Sequence, residues 1–218
     1  MTDTIRLYNY WRSSASWRVR IALGLKGLAY EYISVHLVKD GGQQRSAEHH
    51  ARNPMEQVPT IELTVGGQRR MIGQSIAILE LLDELYPETP IYPRDPYLRA
   101  RTRELVEIVN SGIQPHQNLT PMARIEAAQA GAGKAQAKHF NEVGLKAFQE
   151  RIADISGKFC VGDTPTAADI CLVPQLYSAR RFEADITPLT RLLEIEKACA
   201  ALDAFAAAHP DRQPDANT

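Results

Sequence analysis

The sequence predicts two dissimilar halves, an α/β half built from strand–helix–strand and strand–strand–helix units, followed by an all-helical half. Three observations carry this reading. Alternating β-prone segments occur only ahead of Gln74-Ser75. Pro87, Pro90, Pro93 and Pro96 then crowd one short connection, which neither a helix interior nor an inner strand tolerates. Beyond Tyr97 only helical periodicities remain.

Taken in order, Ile5 and Leu7 alternate with Tyr8 and Tyr10, the pattern of a strand. It runs directly into Ser13-Ser14 and an apolar-rich stretch closed by Lys26-Gly27, a helix with a hydroxyl at its start and a glycine stop. Tyr30–Val35 is rich in aromatic and β-branched residues and forms the second strand, parallel to the first because a helix joins them. Lys39–Arg52 shows no clear period and is read as loop plus a short helix. Thr60–Leu63 and Arg69–Ile72 flank Gly66-Gly67, a hairpin with a tight turn. Pro59 opens its first strand without costing a ladder bond, which makes Val58–Pro59 a candidate cis peptide. Gln74-Ser75 starts a helix with Ile78, Leu81, Leu82 and Leu85 on one face, and Pro87 ends it. The predicted organisation is a first domain over 1–87, a linker over 88–96 and a helical domain over 97–218.

In the second half, Leu98, Leu105, Val106 and Val109 favour one helical face, and Gly131-Ala132-Gly133 breaks the chain before a long helical stretch to Ser156. Thr166-x-x-Asp169 precedes an apolar helix as a variant capping box, so Asp169 is read as architectural. The polar tail His209–Asp215 is expected on the surface.

With 218 residues, 44% hydrophobic content and a formal net charge of -1, the chain can bury real cores but lacks the basic excess that nucleic acid or an anionic membrane demands. Neither a leader pattern nor an apolar window of about 18 residues is evident, so a cytoplasmic location is expected. Cys160, Cys171 and Cys199 lack metal spacing and are read as buried thiols, and the histidines give no metal site.

Chemistry is expected at the corner where the first strand meets the first helix. Unpaired first-turn N–H groups, the positive end of the helix dipole and the Ser13 hydroxyl together favour an anion there. Structural alternatives stay open: Ser13 and Gln74-Ser75 as plain caps, Val58–Pro59 as a bend, Arg180 and Arg181 as a solvated pair at a helix end.

Ser13 to Leu23 is similar to the signature of the zeta class of the glutathione transferases, the maleylacetoacetate isomerases. Asn53–Thr60, Gln74–Ile78, Gly112–Pro115, Gln117–Leu119 and Leu172–Gln175 continue the match in register over nearly the whole chain. One departure is Ala15, where the signature usually carries cysteine; this removes a protein thiol but not the thiol of glutathione. The resemblance implies a thioredoxin-like βαβ–ββα domain, a helical C-terminal bundle, a homodimer and glutathione as cofactor.

It also implies site residues. Ser13 matches the serine that activates the glutathione sulfur, with Ser14, Ser16 and Arg12 beside it. Lys39 and Gln44 match positions near the glycyl end, Val58 and Pro59 the segment that pairs with the cysteinyl backbone, and Gln74 and Ser75 the γ-glutamyl pair. Gln114, Asn118, Leu119 and Thr120 match helical-domain positions that close over the tripeptide. Arg12, with Arg181 and Arg180, is expected to hold a dicarboxylate substrate, since guanidinium groups bind carboxylates bidentately. The implied reaction is cis–trans isomerisation of maleylacetoacetate in aromatic amino acid catabolism by thiolate addition, bond rotation and elimination. The alternatives are isomerisation of maleylpyruvate, glutathione transfer to electrophiles or α-halo acids, and a non-catalytic binding protein of the same fold.

Overall fold

The structure, a computed structural model, describes residues 4–216. It divides into two compact units, one running to Pro90 and resumed from Leu202, the other spanning Ile91–Ala201.

The first unit is organised on a four-stranded sheet of order β2-β1-β3-β4, with β1 at Ile5–Asn9, β2 at Tyr30–Ser34, β3 at Thr60–Val65 and β4 at Gln68–Gly73. β1 pairs parallel with β2 and antiparallel with β3, and β3 and β4 form the expected hairpin. Gly66 and Gly67 take φ values of 59° and 76°, the left-handed conformation that a two-residue hairpin turn requires. Helix α1 (Ser14–Leu25) connects β1 to β2, and α3 (Ser75–Leu85) follows β4. Ile78, Leu79 and Leu82 supply the buried face of α3, while Leu85 is exposed, a shift of the predicted stripe towards the N-terminal turns. The buried Lys26 ammonium ends α3 by donating to the Tyr86 and Thr89 carbonyls and to Asp83. Between β2 and β3 the chain makes short 3-10 turns at Lys39–Gly41 and Gln43–Arg45, then α2 (Ala47–Arg52).

The second unit contains α4 (Pro96–Glu107), α5 (Leu119–Ala128), α6 (Ala132–Arg151), α7 (Ala167–Arg181) and α8 (Thr190–Ala200). Pro96, assigned to the linker by sequence, belongs to α4: it occupies the first turn, where its missing N–H has no helical partner to lose, and Asp95 caps it. α4 passes into a π-helical segment, Ile108–Ile113, and a 3-10 turn, Gln114–Gln117. That turn is fastened by three side-chain amides. Gln117 Oε1 accepts from Gln175 on α7 and Asn141 on α6, both at 3.0 Å, and Gln175 Nε2 also reaches Asn141 Oδ1 at 2.6 Å.

One boundary is corrected. The predicted helical domain runs to the C-terminus, yet helix α9 (Asp203–Ala208) and the tail belong to the first unit. α9 packs on α1 at small residues: a Cβ on Gly24 would stand 3.1 Å from Ala204 Cβ. The tail lies only partly on the surface: Asp211, Arg212 and Pro214 are exposed, but Pro210, Gln213 and Asp215 are buried. Nothing in its polar composition announces this, because the groups that receive it lie in the first strands.

The capping box at α7 is present. The fully buried Asp169 carboxylate accepts from Thr166 N and Cys160 N at 2.8 Å and from Thr166 Oγ1 at 2.9 Å. Asp169→Asn replaces one acceptor with a donor facing these N–H and O–H groups. It should lower the unfolding free energy by about 1–3 kcal/mol, read as a lower urea midpoint at unchanged slope.

Candidate active site

The turn from β1 into α1 is abrupt. Ser13 N donates to Tyr10 O at 3.1 Å, and Ser13, with φ -68° and ψ 117°, caps α1 by accepting from Ser16 N at 3.2 Å. Arg12, Ser13 and Ser14 are half-buried and reachable, and no acidic residue occupies the first turn of α1. The Ser14 and Ala15 N–H groups have no helical carbonyl one turn behind them. Arg12 lies 5.3 Å from the Trp11 ring, and among the described residues it pairs with no carboxylate. The corner is therefore electropositive and carries two reachable hydroxyls, those of Ser13 and Ser14.

Ser16 is corrected. It has 0% exposure and its hydroxyl accepts from Tyr10 N at 3.4 Å, so it braces the corner from below instead of meeting a ligand.

Two further segments of the first unit carry predicted residues. The Val58–Pro59 peptide is cis. Just before it, Gln57 O accepts from His49 Nε2 and Asn53 Nδ2, each at 3.0 Å. His49 and Asn53 thus hold this loop in shape, a role their spacing does not disclose. Gln74 stands at φ 67° and ψ 110°, a conformation side chains rarely adopt, and its Nε2 donates to Gln57 Oε1 at 3.1 Å. The Ser75 hydroxyl accepts from Arg18, a fully buried guanidinium that ties α1 to the start of α3. Nothing in the spacing of Arg18 and Ser75 points to this bond, since 57 residues separate them.

Gln44 is buried, and its Oε1 has no hydrogen-bond partner among the described residues. Gly42 leaves the space for it, since a Cβ there would come within 2.7 Å of the Gln44 amide. Lys39 is exposed. A cleft of about 510 Å³ opens beside α2, lined by Tyr8, Ser34, Asp40, Arg45, His49 and Arg52, and it includes neither Ser13 nor Gln74.

In the second unit, Gln114 Nε2 donates to Asn118 Oδ1 at 2.6 Å, while Leu119 and Thr120 are exposed. Arg180 forms a two-pronged pair with Glu196 at 2.6 and 2.5 Å, which occupies the fork that a substrate carboxylate needs. Its predicted substrate role is therefore corrected: it is the helix-end surface residue of the bland alternative. Arg181, the last residue of α7, lies 5.4 Å from the Phe182 ring. His116 stacks on Phe140 with ring centroids 3.5 Å apart and bonds Gln136, which makes it a packing residue. Among the described residues there is no cluster able to hold a metal ion, and no helix is long and apolar enough to cross a membrane.

Residues 7–90 match the family described as glutathione S-transferase, N-terminal domain, and the sheet order and serine-capped α1 agree with that match. The rat maleylacetoacetate isomerase is 46% identical over 211 residues, covering 96% of this chain and 94% of its own. A maleylacetoacetate isomerase from Anaeromyxobacter dehalogenans 2CP-1, solved with glutathione bound in its active site, superposes with a TM-score of 0.90 at 50% identity over 98% of both chains. A maleylpyruvate isomerase, a bacterial zeta-class enzyme, gives a TM-score of 0.88 at 40% identity, over 96% of this chain and 99% of its own. The chain belongs to the maleylacetoacetate isomerase family of zeta-class glutathione transferases.

The backbone at Gln74 can be weighed by substitution. A β-branched residue adds clashes that glycine lacks, so Gln74→Val should lose about 1–3 kcal/mol of stability while Gln74→Gly stays near wild type. Urea unfolding of the two variants checks the difference.

Proposed function

We propose that this protein catalyses the glutathione-dependent cis–trans isomerisation of maleylacetoacetate to fumarylacetoacetate. The observation that carries the reading is the corner itself: a reachable serine cap on an α1 start free of acidic residues, beside an arginine that no carboxylate of the described residues neutralises.

The residues present fit the tripeptide. The unpartnered Gln44 Oε1 is an acceptor that the peptide N–H at the glycyl end could meet, and the unusual Gln74 backbone precedes the helix start assigned to the γ-glutamyl group. Ser13 would hold the sulfur; Lys39 and Gln44 the glycyl end; Val58, beside Pro59, the cysteinyl backbone; Gln74 and Ser75 the γ-glutamyl end. Bound glutathione supplies a thiolate whose reversible addition turns the conjugated cis double bond into a single bond free to rotate.

The chain's own work is electrostatic. A free thiol with a pKa of about 8.5 is only a few per cent ionised at pH 7, and lowering it by ~2 units takes ~2.7 kcal/mol. The Ser13 hydroxyl can turn its proton towards a sulfur anion while its lone pair still accepts from Ser16 N, and the dipole of α1 adds to that field. Ser14 contributes the adjacent first-turn N–H. Arg12 orients a substrate carboxylate and keeps its charge throughout. Arg181 is assigned the second carboxylate, and Gln114, Asn118, Leu119 and Thr120 the contacts from the helical unit, all on the strength of the resemblance.

The reading also carries a homodimer and a cytoplasmic location. The three buried cysteines, none of them in a disulfide, support a reducing compartment.

Isomerase turnover should collapse when glutathione is withheld. Ser13→Ala should raise the pKa of the bound thiol towards its free value and cut turnover at pH 7, by about 25-fold if the full ~2 units are lost, because the thiolate fraction falls from about three-quarters to a few per cent. Arg12→Ala and Arg181→Ala should raise KM for the dicarboxylate. An unchanged thiol pKa in Ser13→Ala removes that residue from its role. Turnover on an aryl halide matching that on the cis-diketo acid would favour general transfer, and preference for maleylpyruvate would reassign the substrate.

A further inference from the structure

The corner that presents Arg12 and Ser13 is held from outside as well as by its own Ser13 and Ser16 bonds to Tyr10. Trp11, the residue before Arg12, has both backbone polar groups taken by charged side chains from elsewhere. Its carbonyl accepts from Arg20 Nη2 at 2.8 Å, and its N–H donates to Asp215 Oδ2 at 3.2 Å, across 204 residues of chain. Arg20, 1% exposed, also donates to Tyr10 O at 3.3 Å, to Asn9 Oδ1 at 3.0 Å and to Ala208 O at 3.2 Å, the last on α9. Asp215, 5% exposed, also accepts from the Tyr32 hydroxyl at 2.5 Å and Ser34 Oγ at 2.8 Å, both on β2.

The tail that delivers Asp215 is fixed in turn. Gln213 Nε2 donates to Ala207 O at 2.9 Å and His209 O at 2.8 Å, and the His209 ring meets Trp17 edge-on at 5.2 Å. Burial pulls the Arg20 guanidinium down to about 10, which still leaves it cationic at neutral pH, and burial together with the Asp215 bond pushes the Tyr32 phenol up.

We propose that Asp215 is a positioning residue for the thiol site: from the C-terminal tail it clamps the Trp11 peptide to β2 and so sets where Arg12 and Ser13 stand. The inference rests on the reading of Ser13 given above. Its physical basis is that a hydrogen bond to an ionised group is stronger than one between neutral groups, and that a misplacement of about 1 Å in a reacting group can cost on the order of 10²-fold in rate. Asp215 touches neither substrate nor sulfur in this scheme. It acts through the Trp11 peptide alone.

The test compares Asp215→Ala, Asp215→Asn and Ser13→Ala in the full-length protein, measuring the pKa of bound glutathione from thiolate absorbance together with kcat and KM. Asp215→Ala should raise the bound thiol pKa and lower kcat by roughly tenfold or more, with a smaller change in KM for glutathione. Asp215→Asn, which keeps one acceptor oxygen and the side chain's shape, should recover part of both losses. A thiol pKa and kcat unchanged in Asp215→Ala, while Ser13→Ala shifts them, overturns the positioning role and leaves the Ser13 reading intact. No shift in Ser13→Ala overturns that reading and this inference with it. Should Asp215→Ala not fold, the Tyr32→Phe/Ser34→Ala double variant takes its place. Its thiol pKa should rise in the same direction, and an unmoved value overturns the proposal.

Discussion

Burying a guanidinium is costly unless oxygens meet its N–H groups, and the first unit is built so that Arg20 meets them. Its acceptors are the Asn9 side chain at the end of β1, the Tyr10 and Trp11 carbonyls of the corner and the Ala208 carbonyl at the end of α9. Of these, the Trp11 carbonyl is left without a ladder or helix partner by the abrupt strand-to-helix turn, and the Ala208 carbonyl lies at a helix end. A buried carbonyl left so costs about 1–3 kcal/mol, so one charged side chain resolves both such costs at once. It also ties the first strand to the last helix, which is why the C-terminal segment belongs to the unit that opens the chain.

Local chemistry is legible in the sequence and long-range chemistry is not. The serine cap of α1, the diglycine hairpin turn, the proline before β3 and the capping box at Thr166 each depend on residues within a few positions of one another, and the structure holds each where the sequence places it. The burial of Ser16, the Arg18–Ser75 bond and the role of His49 depend on partners brought close only by the fold. Asp215 is the extreme case, because a lone aspartate in a polar tail looks the same whether it faces water or fills a socket of hydroxyls and an amide. The proline connector differs from its sequence boundary at the far edge for another reason: proline ends helices in their interiors but begins them well, and Pro96 does the latter.

The helical unit solves a related problem without charge. A π-helical segment and a 3-10 turn interrupt regular α-helix between α4 and α5, and such irregular backbone needs outside partners to stay defined. The amides of Gln117, Asn141 and Gln175 supply a closed network in which Gln117 Oε1 takes two donors and Gln175 Nε2 serves two acceptors. Neutral amides avoid the desolvation penalty of ions, at the cost of demanding complete pairing. Gln114 and Asn118, the residues that the resemblance places against glutathione, flank this fixed point and bond to each other.

Arginines illustrate how burial and pairing sort residues that look equivalent in a sequence. Arg18 and Arg20 are consumed by the architecture, and Arg101 is held by Asp154 and the Arg151 carbonyl. Arg180 already binds a carboxylate in the two-pronged geometry that a substrate would require, so recruiting it means first displacing Glu196. Arg12 is different: it adjoins the serine cap, it is reachable, and no acidic side chain of the described residues neutralises it. A guanidinium kept free beside the start of a helix that carries no acidic residue in its first turn leaves the local field positive, the condition that the proposed function needs for a sulfur anion and a carboxylate together. The positive field of the corner thus follows as much from the carboxylates that the described residues keep out of it as from the cation it contains.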